Sequence, residues 1–85
     1  MNNTIGNLID QLTIVNIRIW MYEDIKRSKT ASNDEVAHAT RITNVCNQQR
    51  NDLIQEIDER IHNAVVHKQL PKLYKQGDTK LYGKL

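Results

Sequence analysis

The stretch Ile5–Ile25, IGNLIDQLTIVNIRIWMYEDI, constrains this chain more than any other. Ile5, Leu8, Leu12, Val15, Ile19 and Tyr22 step by three and four, which is one face of a helix. Ile9, Ile14, Ile17, Trp20, Met21 and Ile25 lie off that seam. A surface helix of a globular protein needs one apolar stripe, and this one carries nearly two. It therefore has to be covered on more than one side. Frequent β-branched residues make a strand the rival reading, but strict alternation fails at Leu8-Ile9 and again at Trp20-Met21-Tyr22.

The helix is expected over about residues 4–27, capped by Asn3 or Thr4, whose side chains can accept from free backbone N–H groups. Glu23 and Arg27 are placed to pair on its surface. Residues 28–33, SKTASN, are the interior loop signal. A link this short turns the next helix back antiparallel. Ser32 with Glu35 matches the S-x-x-E capping box, and Asp34 and Glu35 suit the positive end of a helix.

The second helix is predicted over about residues 33–67, which contain no Gly or Pro. Its seam reads Val36, Ala39, Ile42 or Thr43, Cys46, Gln49, Leu53, Ile57, Ile61 and Ala64. At about 35 residues it spans roughly 50 Å, well beyond the first helix. The excess, from about Asp58 onward, has no partner within a hairpin and calls for another subunit or the tail.

Six polar residues, Asn47 to Asp52, interrupt that seam. In a hairpin turning near residue 30, facing residue numbers total about 61. Asp10, Asn16, Asn47, Arg50 and Asn51 can then share one layer. An Arg fork fits a carboxylate in two places, and buried polar groups need partners. Such a layer either fixes the helix register or forms an anion or small-ligand pocket from Asp10, Asn16, Arg50 and Asn51. Exposure to solvent is the third possibility.

Residues 68–85 form a basic tail that follows the helix-ending Pro71. It holds five Lys against Asp78, whereas residues 1–67 hold seven Lys/Arg against nine Asp/Glu. The triplet Lys-Leu-Tyr occurs twice, at 72–74 and 80–82, across a turn at Gln76-Gly77-Asp78. Two apolar anchors docking on a helical body explain it most simply. Contact of Lys72, Tyr74, Lys80 and Tyr82 with single-stranded nucleic acid is one alternative, against which the acidity of the body argues, and a disordered tail is the other.

Other classes are disfavoured. The single Cys46 cannot form an internal disulfide, and no Cys/His spacing suggests a zinc site. His38 and Cys46 lie two turns apart, and His62 and His67 are out of step on a helix. No metal, cofactor or catalytic set is expected. Asp10, Gln11, Asn16 and Arg18 break up any membrane span, and no signal peptide is expected, because MNNTIGN lacks a basic region ahead of an apolar one. A cytoplasmic location follows as the expectation.

Two segments together resemble domain-of-unknown-function family 4254. The first is Ile5 to Trp20, with the pattern I-D-x-L-x-I-x-N-x-x-x-W. The second is Asn47 to Glu59, with Q-R-N-x-L-I-x-E-I-D. The tail KLYKQGDTKLYGK is similar to that family's basic ending. The resemblance implies a short helical protein, a reduced form of longer members, with Asp10, Asn16, Trp20, Arg50, Asn51, Glu56 and Asp58 at matching positions. It implies no reaction. Glu56-x-x-Glu59 also resembles half of the metal motif of all-α nucleotide pyrophosphohydrolases, but the other half is missing. LIQEIDERI resembles the first helix of chorismate mutases, whose cationic partners have no counterpart.

The expected architecture is a single all-α domain over residues 1–85. It is an antiparallel α-hairpin of two long helices plus a basic C-terminal tail, assembling into a helical bundle as a homo-oligomer, dimer or higher. The expected role is a self-associating structural or interaction module. The alternatives are a small-ligand protein or all-α enzyme built on the polar layer, and nucleic-acid binding by the tail.

Overall fold

A computed structural model describes residues 3–74. Helix α1 covers Ile5–Arg27 and helix α2 covers Asn33–Val66, and the two pack against each other as a hairpin. Among the described residues there is no strand. Local chemistry sets each helix end. Thr4 is extended, and its side chain accepts from the Asn7 backbone N–H at 3.1 Å. Ser32 forms a full capping box: its hydroxyl accepts from the Glu35 N–H at 3.1 Å, and Glu35 accepts from the Ser32 N–H at 3.3 Å. Two free N–H groups at the start of α2 are thereby satisfied. The α1 C-terminus carries Lys26 and Arg27 beside the negative end of its dipole. Lys26 binds Glu23 at 3.1 Å and Arg27 binds Asp24 at 2.9 Å, while the expected Glu23–Arg27 pair is looser, at 4.0 Å.

The core is a single file of small and aliphatic side chains between the helices. Leu8 and Val15 come from α1, and Cys46, Leu53 and Ile57 from α2, with Leu12, Ile19 and Ile42 packed alongside. Ala39 and Thr43 are buried too, and the Thr43 hydroxyl donates to the Thr40 carbonyl at 2.9 Å. The rings of Tyr22 and His38 meet edge-on at 6.3 Å near the loop end, close to the register expected for the hairpin.

Two seam positions differ from the expected pattern. Gln49 is exposed, because α2 passes its core contact from Cys46 directly to Leu53 seven residues on. Ile61 is exposed because α1 starts at Ile5 and offers nothing opposite it. Val65 and Val66 are exposed on the same overhang.

The hairpin is one layer thick. Its shortest extent is 16 Å, and its radius of gyration is 17.9 Å, against about 12 Å for a compact chain of this length. The chain, its exposed residues 68–74 included, has 7034 Å² of accessible surface, against about 5,200 Å² for a folded monomer of this mass.

Candidate functional site

Two surfaces on this hairpin are chemically distinctive. One is the polar cluster at mid-helix, the other the apolar remainder of α1.

The polar cluster centres on a single bond between the helices. Arg50 Nε donates to Asn16 Oδ1 at 3.2 Å, joining residues 34 apart in sequence. Both side chains are exposed, as are Asp10, Asn47 and Asn51. Arg50 and Asn16 therefore meet on a flank of the hairpin and not within its seam, and among the described residues no hydrogen bond or ion pair brings Asp10, Asn47 or Asn51 to them. The physical reason is angular. Cys46 and Leu53 hold the centre of the contact, so Arg50, four residues past Cys46, falls to the side, and only its long stem reaches α1. Neighbouring polar groups pair along α2 itself: Gln48 with Asp52 at 3.0 Å, Gln55 with Glu59 at 3.0 Å and Arg60 with Glu56 at 2.9 Å. The Asn16–Arg50 bond leaves the remaining guanidinium N–H groups of Arg50 free to meet an anion or water in the open.

The apolar remainder of α1 is extensive. Trp20 is 64% exposed, Met21 57%, and Ile9, Ile14 and Ile17 about half. Ile14, Ile17, Met21 and Ile25 line a shallow trough with Arg18, Tyr22 and Asp24. Ile14 and Arg18 also belong to a second trough, closed on its other side by Gln49, Asp52 and Leu53 of α2. The two troughs are thus one groove along the hairpin. Ile9 and Trp20 lie on the opposite flank of α1, eleven residues or three turns apart, with Asn16 between them.

The start of the tail is placed as well. At Lys68 the backbone takes a φ of 54°, the left-handed turn that ends α2. The Gln69 N–H then donates to the Asn63 carbonyl at 3.2 Å. Gln69 to Lys72 line a cleft with Arg60 and Asn63, so the chain doubles back beside α2. Leu73 and Tyr74 are exposed. Of the four proposed tail contacts, Lys72 and Tyr74 lie in the described region, and Lys80 and Tyr82 lie outside the described residues. His62 and His67 do meet, edge-on at 5.9 Å, because His67 is the cap residue and has left helical geometry.

The groove and the fold-back were missed by reading the sequence. Both arise where elements meet. The pairing of exposed Ile14 with Leu53 across the hairpin would have been the usable signal.

Among the described residues no cluster of three or more His, Cys, Asp or Glu could hold a metal ion. Among them, too, no helix is long and apolar enough to cross a membrane. The model of the family described as protein of unknown function (DUF4254) matches residues 6–80. The chain belongs to this family. The DUF4254 match takes in both helices and the tail as far as Lys80, so the hairpin and its basic extension form one family unit. Neither a curated protein nor a solved structure matches the chain.

Proposed function

We propose that this DUF4254 chain is a self-associating helical module whose role is to build or scaffold an assembly, and that a second copy covers the Ile9–Ile17–Trp20 side of α1. The observation that carries this reading is the apolar surface left on α1 after the hairpin has packed. A one-layer hairpin covers α1 on the α2 side alone, and domains are ordinarily built from at least two packed layers. The exposed Ile9, Ile14, Ile17, Trp20, Met21 and Ile25 give α1 an apolar face that a standard interface, about 800 Å² from each partner, would cover. Pairing through a helix face also suits the symmetry of homodimers, in which the same patch serves both subunits.

Sedimentation equilibrium at micromolar concentration tests it. The expected mass is at least twice the 9.9 kDa of the chain. The double variant Ile17→Asp, Trp20→Asp should sediment as a monomer while keeping its helical circular dichroism. Both side chains are more than half exposed, so the hairpin core does not need them. A wild-type chain that stays monomeric and folded at that concentration would remove the reading.

A further inference from the structure

The groove between the helices leads to the place where the tail begins. Gln49, Asp52, Glu56, Arg60 and Asn63 step by three and four along α2 and so share one flank. Gln49 and Asp52 wall the groove opposite Ile14 and Arg18 of α1. Arg60 and Asn63 wall a cleft whose other side is formed by the exposed residues Gln69 to Lys72. The chain has thus already turned back along the groove side of the hairpin when it reaches Lys72.

We propose that this groove is the docking site for the chain's own residues 75–85. Length fits. From Arg60 to Asp52 is about 12 Å along α2, and from Gln11, level with Asp52, to Met21 is a further 15 Å or so along α1. Nine residues separate Lys72 from Leu81, a reach of up to about 30 Å, which brings Leu81 and Tyr82 to Met21. Charge fits as well. Residues 75–85 hold three Lys against one Asp, and among the described residues the groove is lined by Asp24 and Asp52 against the single cation Arg18. The anchors match in kind, with Leu81 and Tyr82 opposite the apolar end formed by Met21 and Ile25. The family match covers the hairpin and the first part of this segment, as far as Lys80. The tail is placed on the Arg18 flank of α1 and the second copy on the Ile9–Trp20 flank, with Ile17 bordering both, so the coupling test uses the unmodified Ile17.

Zero-length carbodiimide coupling of the unmodified full chain tests it. An equal mixture of heavy-isotope and ordinary chains is coupled and mapped by mass spectrometry. The expected result is Lys75 or Lys80 joined to Asp52 or Asp24 within one chain, with these joins lost in the variant Leu81→Asp, Tyr82→Asp. That variant leaves both helices untouched. Joins solely between heavy and ordinary chains would overturn the proposal and assign the groove to a second copy. Absence of these joins, or their survival unchanged in the double variant, would overturn it too.

Discussion

At the scale of single residues, burial decides what each side chain is worth. Leu8 is fully buried and lies at the centre of the file between the helices. Leu8→Ala should cost about 3 kcal/mol, since it removes apolar contact and leaves a cavity. Urea denaturation checks this, and a loss under 1 kcal/mol would mean that the core is looser than drawn. Arg50 makes the opposite case. Its bond to Asn16 crosses the hairpin, but both groups are exposed, so water competes for them. Arg50→Ala is expected to change stability by no more than about 0.5–1 kcal/mol. A double-mutant cycle with Asn16→Ala should give a coupling in that same range. The contrast explains what could be read in advance. Residue types and spacing pointed to Asn16 and Arg50 as facing partners. They could not say that Cys46 and Leu53 would take the centre of the contact and leave the polar pair at its edge, because that depends on a rotation of α2 by a fraction of a turn.

At the scale of elements, the ends of the helices carry the clearest expectations. Ser32→Ala removes the hydroxyl that accepts from the Glu35 N–H, while the Ser32 backbone N–H can still donate to the Glu35 carboxylate, and should cost about 1 kcal/mol, read as a lower midpoint in thermal or urea unfolding. Gly6 sits exposed in the first turn of α1, and the nearest atom to an added Cβ would be the Thr4 hydroxyl oxygen at 3.9 Å. Gly6→Ala should therefore stabilise the chain by about 0.5–1 kcal/mol. The same measurement checks it, and a destabilised variant would show that the first turn is not helical. This scale was also the most legible. Two apolar periodicities, one short polar link and a capping motif were enough to infer an all-helical hairpin. The overhang of α2 followed from counting residues. The return of the tail at Lys68 did not, because a left-handed lysine carries no sequence signal of the kind a glycine would.

At the scale of the whole molecule, the shape is thin and the exposed surface large. If copies of the chain shelter one another, stability is tied to concentration by mass action. The melting temperature should rise by several degrees between micromolar and hundred-micromolar protein, and the rise should vanish in Ile17→Asp, Trp20→Asp. A contact through Ile17 and Trp20 would be apolar, so moderate salt should leave the proposed assembly intact. Docking of the lysine-rich tail should weaken under the same salt. Titration with sodium chloride therefore separates the two contacts in one preparation.

The position of Cys46 gives this chain a built-in clock. Its sulfur is shut inside the hairpin, 1% exposed, and the sequence holds no other thiol. A reagent such as a maleimide can touch it only in the moments when the two rods part. The rate of its alkylation under native conditions thus times the opening of the pair, with no probe added and no side chain changed.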